Sequence, residues 1–162
     1  MVVYAKQIDP KRLDLGYLAL FLGQRVNELV VERLIRAEFR HVRESHGYVI
    51  QHLIDGERSI TELAQCMGVT QQAASKTVAE MVRLGILESK TAADKRAKVI
   101  RISERGWESI YVSRRARAVI DRKLARIVGD EPYGRMKLEL IECLTQLGGT
   151  ERIRSRRVRE PH

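Results

Sequence analysis

Cysteine, aromatic residues and long apolar runs are all scarce in this chain, and each shortage removes a class of protein. Only Cys66 and Cys143 occur, both in segments that read as amphipathic helices. That pattern excludes the dense disulfide framework of a small secreted domain and points to a reducing cytoplasm, with both thiols expected as small buried hydrophobes. Aromatic residues make up 5% of the sequence, which leaves few platforms for stacking single-stranded nucleic acid. The longest apolar run, Tyr17 to Leu22, is far short of the roughly 20 residues that span a bilayer. The first 16 residues contain no uninterrupted apolar stretch of the secretory type, so neither export nor a membrane partner is expected. There is no Gly-x-Ser-x-Gly, no phosphate-cradling glycine loop and no His-Glu-x-x-His, so no catalytic set and no enzyme is expected. His41, His46 and His52 lie near one another without a His-x3-His or Cys-x-x-Cys spacing, so neither a metal nor another cofactor is expected.

What the chain has is positive charge. Lys and Arg number 30 against 21 Asp and Glu, a formal charge of +9 with a pI near 9.9, which favours a polyanionic partner. With so few aromatics, double-stranded DNA ranks above RNA. A length of 162 residues suits one domain, or a small core with long helical extensions, better than two domains.

Apolar periodicity divides the chain. Leu15, Leu18, Leu22, Val26, Leu29 and Val30 recur at spacings of three and four and predict a long first helix from Asp14 to Val42. A second helix, 46–55, closes at Asp55-Gly56. Ser59-Ile60-Thr61-Glu62 has the capping-box spacing and opens a third, ended by Gly68. Thr70 is placed to cap a fourth, Gln71 to Leu84, stopped by Gly85. The period then changes: Ile86 to Thr91 and Ala97 to Ile102 are short and rich in β-branched or apolar residues, and a polar turn, Ala92 to Arg96, separates them, which reads as a hairpin. Ser103 caps a basic fifth helix running to about Val128, Gly129 to Pro132 break it, and a sixth helix covers Tyr133 to Leu147. The resulting fold class is mainly α with a small β-hairpin wing (α+β): a winged helix-turn-helix with long N- and C-terminal dimerisation helices. Its divisions are an N-terminal helix at 1–42, a winged helix-turn-helix at 43–103, C-terminal helices at 104–149 and a basic tail at 150–162, expected to be disordered for lack of anything to bury.

The segment from Ser59 to Ser103 carries the function. Two short helices joined by a glycine turn let the second project while the first braces it, the geometry that offers side chains to a major groove. In the second helix Ala74, Val78 and Met81 repeat at i, i+4 and i+7 and should face inward. The opposite face carries Gln71, Gln72, Ser75, Lys76 and Thr77, which with Thr70 offer hydrogen bonds and charge to base edges and phosphates. On the hairpin, Asp94, Lys95, Arg96 and Lys98 complete the candidate DNA-binding set. Taken singly each is no more than a solvated polar residue; the ordered combination in a basic chain is what indicates DNA.

From Ser59 to Gly106 the sequence resembles the multiple antibiotic resistance regulator (MarR) family of winged helix-turn-helix transcriptional regulators. The resemblance lies in Glu62-Leu63-Ala64, the turn Gly68-Val69-Thr70, the recognition helix, the wing sequence Asp94-Lys95-Arg96 (the family's Asp-x-Arg) and Ser103-Glu104-Arg105-Gly106 after it. With the flanking long helices it extends over Leu13 to Leu147. The resemblance implies a homodimer that places Gln71 to Lys76 in the major groove and Arg96 in the adjacent minor groove of a palindromic operator, with Asp94 holding Arg96 by a carboxylate-guanidinium pair. It further implies a cytoplasmic, nucleoid-associated repressor relieved by a small, often aromatic or phenolic effector. Tyr17, Phe21, His41, Tyr48 and Trp107 are aromatic candidates for such a cleft, but an aromatic at helical spacing is more often plain core, and no ligand residue is assigned. The chain departs from the family in lacking a glycine at the wing tip and in its arginine-rich extension after Gly149. The competing readings are a winged-helix adaptor and an RNA-associated protein without operator specificity.

Overall fold

A computed structural model describes residues 8–91 and 98–151. After a single 3-10 turn at Pro10–Arg12, the order is α1 (Leu15–Arg36), α2 (Glu44–Ile50), α3 (Ile60–Met67), α4 (Gln71–Arg83), β1 (Leu87–Thr91), β2 (Lys98–Ile102), α5 (Glu104–Val128) and α6 (Asp130–Gln146). The strands form an antiparallel hairpin in which Leu87 pairs with Ile102 and Thr91 with Lys98. Arg58 adds a bridge on the other edge of β2, exchanging backbone hydrogen bonds with Ile100 at 3.0 and 2.7 Å. The residue before the cap of α3 is thereby tied to the wing. The chain has the mainly helical arrangement with a two-stranded hairpin that the sequence predicts.

One core joins α2, α3, α4 and the hairpin to the C-terminal half of α1 and the N-terminal half of α5. Val49, Leu63, Met81, Ile86 and Leu87 are fully shielded at its centre, with Val30 and Leu34 of α1 and Ile110 of α5 closing one side. Only this part of α1 is buried; upstream, Leu15, Leu18 and Leu22 of the predicted stripe face outward in the single chain. Beyond the core, α5 carries α6, and Asp121 accepts a hydrogen bond from the Tyr133 hydroxyl and pairs with Lys137 at 3.6 Å.

Several expected boundaries move. The first helix stops at Arg36 instead of reaching Val42, because Glu38 adopts a left-handed backbone (φ 66°) and the Phe39 N–H returns to the Leu34 carbonyl at 2.9 Å. That turn delivers Phe39 and Val42 to the core. The second helix begins at Glu44 and ends at Ile50, with hydrogen-bonded turns continuing toward Asp55. The sixth begins at Asp130, not Tyr133: Gly129 alone makes the break, and Pro132 is accommodated in the first turn, where its missing N–H has no helical acceptor to lose. Cys66 is half-buried and Cys143 exposed, not the buried pair expected; for Cys143 the reason is that no residue of α6 is buried among the described residues. Thr150 and Glu151 open a further helical turn; the remainder of the basic tail lies outside the described residues.

Candidate nucleic-acid interface

The helix pair is locked at each junction by residues adjacent in sequence. Ser59 caps α3: its Oγ accepts from the Glu62 N–H at 3.2 Å, while the Glu62 carboxylate accepts from the Ser59 N–H at 2.7 Å and hydroxyl at 2.8 Å. Those donors favour the charged carboxylate and hold Glu62 below the ordinary glutamate range. At the other end Gly68 takes φ 65°, a left-handed conformation that a Cβ penalises, and the Val69 N–H reaches back to the Ala64 carbonyl at 3.0 Å. The chain is thus turned sharply into Thr70, whose hydroxyl accepts from the Ala73 N–H at 3.2 Å and caps α4.

Ala74, Val78 and Met81 are the buried stripe of α4, as its periodicity requires. Gln71, Gln72, Ser75 and Lys76 are exposed together on its first two turns. Thr77 differs: it is half-buried, and its hydroxyl donates to the Ala73 carbonyl at 3.2 Å, so it is partly engaged within the helix. Lys98 is exposed on β2. Asp94, Lys95 and Arg96 lie outside the described residues, with the rest of the wing tip, 92–97. The base of the wing is fixed by the cross-strand pair Glu88 and Arg101, whose side chains form an ion pair.

The Ser103-x-x-Gly106 motif acquires a physical reason. The Ser103 hydroxyl accepts from the Gly106 N–H at 3.0 Å and caps α5 while donating toward the Ile86 and Gly85 carbonyls. At Gly106 an added Cβ would sit 2.2 Å from the Ile86 carbonyl oxygen and 2.7 Å from Ile102 Cγ2. Only glycine lets α5 start against the strand edge, so this one motif sets the angle between the wing and the long helix. Next to it Arg105 stacks on the Phe39 ring at 4.7 Å and donates to the Glu38 carbonyl at 2.9 Å, fastening α5 to the end of α1.

Sequence patterning did not reveal a group of charged side chains behind the recognition helix. Arg43, the N-cap residue of α2, pairs with Glu80 of α4, and the fully buried His46 has Nε2 at 3.7 Å from the same carboxylate. Its Nδ1 accepts the Arg43 N–H at 3.2 Å, which leaves the proton on Nε2, and this atom has no hydrogen-bond partner among the described residues. Burial pushes the His46 pKa down; Glu80 opposes and Arg43 reinforces the shift. Arg43 and Glu80 are 37 residues apart, so no local signal marks them.

Arg43 also lines a cleft of about 400 Å³ between α1, α2 and α5, walled by Val30, Leu34 and Ile50 and bordered by Arg114 and Arg117. Of the aromatic candidates only Tyr48 lines it. Trp107 borders a separate hollow beside Glu88 and Arg101, His41 is exposed, and Tyr17 and Phe21 stack at 6.4 Å on the outer face of α1. Among the described residues no group of three His, Cys, Asp or Glu side chains is gathered. No helix among them is long and apolar enough to cross a membrane.

A braced helix with a polar exposed face, followed by a hairpin and a capped long helix, defines a winged helix-turn-helix protein. Residues 42–97 match the MarR family model. Solved structures of MarR-type regulators share the fold across most of the chain. MepR, a transcription regulator of the Staphylococcus aureus multidrug efflux pump MepA, is 15% identical, with a TM-score of 0.68 over 83% of this chain and 99% of that one. A MepR variant bound to an oligodeoxyribonucleotide is 17% identical, with a TM-score of 0.59 over 84% and 99%. Wild-type apo MarR from E. coli is 16% identical, with a TM-score of 0.63 over 82% and 97%. No curated protein sequence matches this chain.

Proposed function

We propose that the chain is a sequence-specific double-stranded DNA-binding transcriptional regulator, a homodimeric repressor on a palindromic operator that a small ligand relieves. It acts by binding and carries out no chemistry. The observation that supports this most is the recognition helix itself: Gln71, Gln72, Ser75 and Lys76 are exposed as one patch at the capped end of α4, in a chain of charge +9. A glutamine on a base edge reads sequence, and Lys76, Thr70 and Lys98 are assigned to phosphates, with Thr77 beside them on α4. Arg96 enters the minor groove, held by Asp94 and flanked by Lys95. That a MepR variant is solved with an oligodeoxyribonucleotide supports the same use of the shared fold.

The dimer reading rests on the apolar faces left open along α1, α5 and α6, including Leu18 and Phe21 of α1 and Leu138 and Ile141 of α6. The effector reading rests on the α1–α2–α5 cleft. Cytoplasmic, nucleoid-associated location follows from the DNA-binding role. The test is fluorescence anisotropy of a labelled duplex challenged with competitor DNA and RNA across a salt series. The expected result is preference for duplex DNA with a log-log salt slope of about −0.9 per phosphate neutralised. Equal competition by RNA, or a flat salt response, contradicts it.

A further inference from the structure

A hollow of about 710 Å³ opens at the base of the wing, where the turns after α2, the hairpin and the start of α5 meet. Leu53 and Ile102 give it an apolar floor, and Trp107 lines it with 45% of its surface exposed. Three carboxylates, Glu57, Glu88 and Glu104, line it with one guanidinium, Arg101, which is already paired with Glu88. Among the described residues neither Glu57 nor Glu104 has an ion pair. An exposed indole beside unpaired carboxylates suits arginine: the guanidinium stacks on the ring while its N–H groups reach carboxylate oxygens. The fold makes the stacked half of such a contact elsewhere, at Arg105 on Phe39.

The chain carries its own occupant for that place. Beyond Glu151, the last described residue, come Arg152, Arg154, Arg156, Arg157 and Arg159. Their reach is set by α6. Tyr133 and Lys137 both contact Asp121, so α6 runs back along α5 from the Gly129 break. At about 1.5 Å per residue, the stretch from Lys137 to Gln146 recovers about 13 Å of the roughly 21 Å between Asp121 and Trp107. The stretch from Glu151 to Arg157 spans up to about 20 Å, enough for the remainder. Trp107, Arg114 and Asp121 follow one another at about two helical turns, so the hollow and α6 lie toward the same side of α5. Arg114, between them, repels the tail and leaves the acidic hollow as its counter-charge. We propose that the tail, 152–159, docks in this hollow of its own chain, with one arginine on Trp107 and others on Glu57 and Glu104, and is thereby withheld from DNA phosphates. The docking stands without the proposed DNA-binding function; the withholding rests on it.

The test uses full-length chains and the fluorescence of Trp107, the single tryptophan, which reports on the hollow alone. The tail variant carries Arg152→Gln, Arg154→Gln, Arg156→Gln, Arg157→Gln and Arg159→Gln. Uncharged acrylamide should quench the wild type with a slope about half that of the tail variant, because a stacked guanidinium covers one of the two ring faces. Glu57→Gln with Glu104→Gln should raise the wild-type slope to the tail variant's level and leave the tail variant's own slope unchanged. Salt at about 0.5 M should act as the two glutamines do, by screening exposed pairs. For a random-sequence duplex followed by anisotropy, the two glutamines should raise affinity about threefold with the native tail and less than about 1.5-fold with the neutralised one, since only the native tail has charge to release. Equal slopes with and without the tail charges, or a wild-type slope that the two glutamines do not change, overturn the docking. An equal affinity gain in both backgrounds overturns the withholding. A wild type that binds no duplex while the slopes still differ overturns the DNA-binding function and leaves the docking standing.

Discussion

The recognition helix α4 and the last helix α6 are both amphipathic in sequence, yet one is finished within the chain and the other is not. On α4, Ala74 and Met81 are completely shielded and Val78 is 3% exposed. On α6 no residue is buried, and Leu138 and Ile141 are 69% and 54% exposed. The same contrast runs along α1, whose C-terminal Val30 and Leu34 enter the core while Leu18 and Phe21 stay outside. Helical periodicity tells which residues share a face but not what covers that face. The winged segment closes on itself and presents a mainly polar face on its free helix, whereas the long helices leave apolar faces open, proposed here to be closed by a second copy.

The comparison breaks most sharply in the core. Leu63→Ala, at a position with no exposure, should cost about 2–5 kcal/mol and unfold the winged segment in denaturant titration. Leu138→Ala should change the monomer little, and equal losses at the two positions would remove the distinction. The converse test is Leu138→Glu with Ile141→Glu. Sedimentation velocity should show the dimer dissociating while far-UV circular dichroism keeps its helical signal; a dimer that survives both charges places the interface elsewhere.

A smaller effect is expected where the two regions meet. Gly106→Ala forces a methyl against the Ile86 carbonyl and Ile102, and should cost about 1–3 kcal/mol by thermal unfolding. Duplex affinity should fall further than stability alone explains, because the wing is re-aimed. The smallest effect is a pH dependence confined to the winged segment. His46 is held below its ordinary value by burial, so the unfolded chain binds its proton first. The stability associated with neutral His46 is complete above about pH 6.5 and declines as pH falls below it. His46→Gln should flatten that decline in melts taken between pH 7.5 and 5; an unchanged decline assigns it to other groups.

What was readable in the sequence was local. The Ser59-Glu62 box, the Gly68 turn, the Thr70 cap and Ser103-x-x-Gly106 each act within a few residues, and the buried stripe of α4 follows from period alone. The ends of α1 and α6 were misplaced for a specific reason: apolar periodicity continues past Glu38, where the backbone turns left-handed, and Pro132 resembles a breaker although it sits in a first turn. Tertiary pairings left no trace. Arg43 and Glu80, or Arg58 and Ile100, meet only because the helix pair and hairpin have already assembled. Of the candidate DNA-binding residues, Gln71, Gln72, Ser75, Lys76 and Lys98 are exposed, Thr77 is partly engaged in its own helix, and Asp94, Lys95 and Arg96 are outside the described residues.

The central claim, that the exposed face of α4 reads DNA sequence, is tested most directly by letting the full chain select from a pool of random duplexes. The account predicts enrichment of a two-fold symmetric sequence, with half-sites about one helical turn apart centre to centre. The Gln71→Ala, Gln72→Ala double variant, selected in parallel, should still retain DNA but lose base preference within each half-site. A pool that emerges unenriched, or the same enriched sequence from both proteins, contradicts it.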